Sequence, residues 1–138
     1  WRHMAVPEVS VALEEGEAHG GARSLRVAFD DTAATDAGVL QIIPVQPGAE
    51  YELSAYLKAD LTAASGPRLA ISDAYSHAKY GMTEEVQGSA PWREQRTQFK
   101  VGPDAMLVEL RIVRSPASGT IRGTLWVDDV RLTQRGKP

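Results

Sequence analysis

Apolar and polar residues alternate along most of this chain in segments of about five to nine residues, the two-residue period of a strand with one face buried. The alternation predicts strands over residues 9–13, 24–29, 38–45, 50–59, 68–72, 93–101, 106–114 and 124–133. Pro47-Gly48, Ser65-Gly66-Pro67, Gly102-Pro103-Asp104 and the stretch 115–119 fall between them, and such residues set the backbone of tight turns. Only residues 31–37 and 60–65 have a helix-like composition, and each is too short for more than a turn of helix or a loop. The stretch 75–91 is long enough to be a functional loop. Eight short strands with turns at regular spacing imply an all-β fold, a two-sheet antiparallel jelly-roll sandwich.

Successive strand side chains point to opposite sides of a sheet, so the alternation also assigns faces. Over 50–59 it places Tyr51, Leu53, Ala55 and Leu57 inward and Glu52, Ser54, Tyr56 and Lys58 outward. Over 106–114 it places Met106, Val108, Leu110 and Ile112 inward and Leu107, Glu109, Arg111 and Val113 outward. The expected core is Leu25, Val27, Leu53, Leu57, Ile71, Phe99, Val108, Leu110, Ile112 and Val127.

Composition narrows the class. With 138 residues, 43% hydrophobic and 24% charged, the chain fits one globular domain spanning 1–138. A net charge of −3 gives no general attraction for phosphate backbones or anionic lipid, so neither nucleic acid nor a membrane is an expected partner. No apolar run approaches the ~20 residues needed to cross a bilayer. The absence of cysteine removes disulfides, thiolate metal sites and cysteine nucleophiles together. The start at Trp1-Arg2-His3-Met4 reads as part of a longer or processed protein.

Catalysis finds little footing. There is no Gly-x-Ser-x-Gly elbow, no His-Glu-x-x-His and no phosphate-cradling glycine loop, and the three histidines His3, His19 and His77 lack ligand spacing. Glu14-Glu15 and Glu84-Glu85 do not make a glycosidase pair, because neighbours on a strand point to opposite faces. The chain is therefore not expected to be an enzyme.

Four stretches, in order, carry a family resemblance: Gly21-Ala22-Arg23-Ser24-Leu25-Arg26-Val27; Gln41 leading to Pro47-Gly48-Ala49-Glu50-Tyr51-Glu52-Leu53-Ser54; Trp92 to Phe99; and Leu125-Trp126-Val127-Asp128-Asp129-Val130-Arg131-Leu132. From about Gly20 to Leu132 the chain resembles carbohydrate-binding modules of families four and nine, which have a galactose-binding-domain-like jelly roll. The family's opening strand is missing, with Trp1 standing where its loop tryptophan would be. The resemblance implies a non-catalytic polysaccharide-binding module, secreted or at the cell surface, of the kind appended to larger bacterial proteins. No cofactor is required, but the resemblance offers a site for a structural calcium ion, with Asp128 in the family's ligand position and the carbonyls of Gly20 and Arg23 beside it, although the glutamate of the opening strand has no counterpart. Calcium takes such oxygen ligands. The alternative for Asp128 is a hydrogen-bonding aspartate near a strand end.

Sugar recognition needs an aromatic or apolar surface for pyranose C–H faces beside planar polar side chains for paired hydroxyls. Gln41, Tyr56, Lys58 and Arg111 are expected to line the concave face of one sheet, with Tyr75, His77 and Tyr80 at its rim. The alternative is a solvated face beside an ordinary polar loop. Trp92 is expected to pack structurally, while Trp126 fits exposure and inter-sheet packing equally. Hydrogen bonds to sugar replace bonds to water and contribute about 0.5–1.5 kcal/mol each, so micromolar or weaker affinity is expected. A different function class, a structural or interaction domain, follows from the missing strand: an open sheet edge can be filled by a protein partner or a second copy through β-augmentation.

Overall fold

The computed structural model describes residues 1–16, 19, 23–115 and 117–135. Ten strands form in chain order: β1 (Arg2–His3), β2 (Val9–Glu14), β3 (Ser24–Thr32), β4 (Asp36–Pro44), β5 (Glu50–Ala63), β6 (Arg68–Asp73), β7 (Lys79–Met82), β8 (Ser89–Lys100), β9 (Leu107–Val113) and β10 (Ile121–Arg135). They make two five-stranded antiparallel sheets, a first in the order β1-β4-β9-β6-β7 and a second in the order β2-β3-β10-β5-β8. This is the jelly-roll sandwich that the alternation implies.

The sheets meet over one apolar layer. Val39, Leu69, Ile71, Val108, Leu110 and Ile112 enter it from the first sheet and Val27, Leu53, Ala55, Leu57, Leu125 and Val127 from the second, all buried. Fully burying a side chain of this size contributes about 1.5–3 kcal/mol, which makes this layer the main source of stability. All ten residues expected in the core are buried.

The elements depart from expectation where turns and bulges interrupt the period. The stretch 31–37 is not helical, since β3 runs to Thr32 and β4 starts at Asp36; 60–65 continues β5 as far as Ala63. The supposed long loop 75–91 contains β7, which closes the edge of the first sheet. Met106 is 66% exposed rather than core, because β9 begins one residue later and Met106 belongs to the turn before it. A two-residue strand, β1, lies at the edge of the first sheet, where Arg2 and His3 pair with Leu40 and Val39 of β4.

Two glycines allow irregularities that pure alternation would exclude. Gly38 (φ +78°) sits in a register shift of β4, and a Cβ there would lie 2.2 Å from the Met4 carbonyl oxygen. Gly123 (φ +115°) serves the same purpose in β10, where a Cβ would meet the Asp60 carbonyl at 2.1 Å.

Candidate functional site

The outer face of the first sheet carries a groove of about 380 Å³, within the range of small-ligand sites. Ala70 and Ser72 on β6 form its floor; Ala70 lies between Arg111 of β9 and Met82 of β7, and Ser72 between Glu109 and Lys79. Met82, Val113 and Ala70 supply apolar surface, while Asp36, Lys79, His77 and Arg111 supply polar groups.

Arg111 is the organising residue. Its Nε donates to Glu109 Oε1 and its Nη1 to Asp36 Oδ2 at 3.1 Å. Glu109 first, and Asp36 after it, hold the guanidinium firmly protonated by raising its pKa against the opposing effect of burial. Asp36 is fixed in turn, because its Oδ1 accepts the Gly38 N–H at 2.8 Å inside the bulge that Gly38 permits. A planar guanidinium locked in place presents a fixed edge to paired hydroxyls.

The turn between β6 and β7 places His77. Asp73 Oδ1 accepts the N–H groups of Tyr75 and Ser76 at 2.8 and 2.9 Å, and its Oδ2 accepts the Tyr80 hydroxyl at 3.1 Å. Those bonds, led by the one from Ser76, push the Asp73 carboxyl below its ordinary value. His77 takes a left-handed backbone (φ 63°) and lines the groove.

The seven residues expected to form one site are divided. Arg111 and His77 belong to the groove; Tyr56 and Lys58 stand on β5 and face outward from the second sheet, on the opposite side of the sandwich. The single-sheet expectation failed because alternation assigns a face within a strand but not the sheet to which that strand belongs. Gln41 is not outward at all: it lies opposite the fully buried Leu110 in the ladder, so it stands on the inner side near the sheet edge. It sits in the nearly unbroken apolar run 39–43, where a two-residue period cannot be read. Tyr80 is structural, since its ring stacks on Phe99 and its hydroxyl joins Asp73 to the Gly102 N–H. Tyr75 is 73% exposed at the turn tip. Asp36, Ala70, Ser72, Lys79 and Met82 were missed. The outward positions of β6 alternate visibly with Leu69 and Ile71, but Lys79 and Met82 fall in the stretch read as loop.

On the second sheet's outer face, Tyr56 is stacked on His19 with ring centroids 3.7 Å apart, and Lys58 Nζ lies 5.3 Å from the Trp126 ring centroid. Trp126 therefore faces outward, and its Nε1 donates to Glu14 at 2.5 Å. Arg96, its pKa raised chiefly by Glu94, bonds Glu94 and Glu52 at 2.9 and 3.3 Å. Asp128, the expected calcium ligand, accepts the His19 N–H at Oδ2 and the Asp129 N–H at Oδ1. Among the described residues no three acidic or histidine side chains converge as a metal cage, and Gly20 lies outside them.

A family model described as "Carbohydrate binding domain" matches residues 1–119. No curated protein matches the sequence. Among solved structures, the CBM22-1–GH10 modules of Clostridium thermocellum endo-1,4-β-D-xylanase 10B, complexed with xylohexaose, are 18% identical with a TM-score of 0.67; the match covers 100% of this chain and 27% of that one. A CBM4 module is 16% identical with a TM-score of 0.64 over 94% of this chain and 81% of its own. The CBM22-1 xylan-binding domain of Paenibacillus barcinonensis Xyn10C is 16% identical with a TM-score of 0.58 over 98% and 86%. At these identities the likeness is one of fold.

Proposed function

This chain belongs to the carbohydrate binding domain family, and from that membership we propose that it holds a polysaccharide, without cleaving it, in the groove of the first sheet. One observation carries the placement: the groove combines an apolar floor of Ala70, Met82 and Val113 with a guanidinium fixed by two carboxylates. Sugar C–H faces rest on such a floor while Arg111, Ser72 and His77 meet hydroxyls. Binding replaces bonds to water, so affinity is micromolar or weaker. Xylan is the first glycan to try, because two of the similar structures bind xylan or a xylo-oligosaccharide. By its likeness to modules appended to polysaccharide-acting proteins, the location we propose is outside the cell or at its surface.

Affinity electrophoresis through gels containing xylan or other soluble polysaccharides tests the reading. Retardation in at least one gel, lost when Ala70→Phe fills the groove, is expected; equal retardation of that variant overturns the placement.

A second reading, strand addition by a protein partner, is favoured by one feature: β1 pairs with only Val39 and Leu40 of the nine-residue β4. A strictly monomeric chain at high concentration would remove the self-association form of it.

A further inference from the structure

The charges around the groove are unequal. Its two carboxylates, Asp36 and Glu109, are both bound to Arg111. The other cations near it have no such partner. Arg114, 3% exposed, lines the groove, and its guanidinium is held by the carbonyl oxygens of Ala34, Ser65, Ser118 and Gly119 and by the Ser65 hydroxyl. Those dipoles satisfy its hydrogen bonds but leave its full charge beneath the groove wall. Lys79 is exposed on β7 and, among the described residues, forms no ion pair. Arg68 stands on the same side of β6 as Ala70 and Ser72, and its Nε is buried with no hydrogen-bond partner among the described residues. Glu84, past the end of β7, is exposed and in no ion pair among the described residues. A chain of net charge −3 thus concentrates positive charge around this apolar-floored groove.

Resting on the groove reading above, we propose that the polysaccharide taken here bears carboxylates, as a uronate-substituted chain, and that Lys79 and Arg68 receive them. Lys79 is level with Ser72, four residues along β6 from Arg68, so the two cations stand about 13 Å apart along the strand. That spacing suits charges repeated along a polymer lying parallel to β6 better than one isolated acidic sugar.

The probe is glucuronate-substituted xylan compared with the same polymer after its carboxyl groups are reduced to alcohols, in affinity gels at low and at physiological ionic strength. Partly exposed ion pairs are each worth roughly two- to fivefold in affinity, so the acidic form should bind about five- to tenfold tighter at low salt, with the advantage shrinking as salt rises. Lys79→Met and Arg68→Met should each lower that ratio two- to fivefold. Arg96→Met, the same charge change on the opposite face, should leave the ratio unaltered. If it lowers the ratio as much, net charge explains the effect and the proposal fails. Equal affinity for the two polymers also overturns the proposal but leaves the groove reading standing, whereas no retention by either polymer or any neutral glycan overturns both.

Discussion

The two outer faces of this sandwich have similar ingredients and opposite conditions. Each carries arginines and carboxylates around a depression of nearly equal size, about 380 Å³ on the first sheet and 370 Å³ on the second. On the second, Tyr56 is stacked on His19, Lys58 lies over Trp126, and Arg96 is shared between Glu94 and Glu52. Most of these groups are matched to one another, while Arg131 beside them forms no ion pair among the described residues. On the first, Arg111 is locked but Lys79 and Arg68 are not, and the floor between them is apolar. If the first face takes the ligand, as we propose, groups left without partners beside an apolar surface mark a site better than aromatic and planar polar residues alone.

The strongest way to break the comparison is to collapse the frame of the first face. Gly38→Ala forces a side chain into a left-handed backbone against the Met4 carbonyl, and should cost about 2–3 kcal/mol in denaturant unfolding. Glycan retention should fall with it, because Asp36 loses its N–H anchor. Next, Arg111→Ala leaves the Glu109 carboxylate, only 8% exposed, without its partner; about 1–3 kcal/mol of stability and all detectable retention should go together. By contrast, Tyr56→Ala removes one stacked ring from the second face, should cost about 1 kcal/mol or less, and should leave retention unchanged.

Acid should distinguish the faces as well. Asp73 has a lower pKa in the fold than its ordinary 3.8, so its stabilisation is complete above that value and is lost as pH falls through the lower, folded one. Because Asp73 holds the turn that bears His77, protection of the Tyr75 and Ser76 amides, measured as exchange relative to the intrinsic rate, should fall as pH drops below the ordinary 3.8. In Asp73→Ala, which has no acceptor, that protection should be lost already at neutral pH. The smallest effect is expected from chelation: treatment with EDTA should not move the thermal midpoint, since both Asp128 oxygens are engaged by backbone N–H groups.

Much of the fold is legible in the sequence because the inward set of each strand is strongly apolar. Leu53, Leu57, Val108, Leu110 and Ile112 alternate with polar neighbours, and turns at Pro47-Gly48 and Gly102-Pro103 bound the strands. The site is less legible, for two physical reasons. Sheet membership depends on long-range pairing: β5 and β9 read alike, yet Tyr56 and Arg111 end on opposite sides of the molecule. Irregular backbone carries no period, and the groove is built there: Asp36 in a bulge, His77 at a positive φ, and Lys79 on a four-residue edge strand inside an apparent loop.

Amide chemical-shift mapping of the isotope-labelled chain, titrated with the oligosaccharide form of whichever glycan retards it most, tests the central claim most directly. The account predicts shifts concentrated at Asp36, Ala70, Ser72, His77, Lys79 and Arg111, with Ser54, Tyr56, Arg96 and Arg131 unmoved. Shifts centred on Tyr56, Arg96 and Arg131 would contradict it and move the binding face to the other sheet.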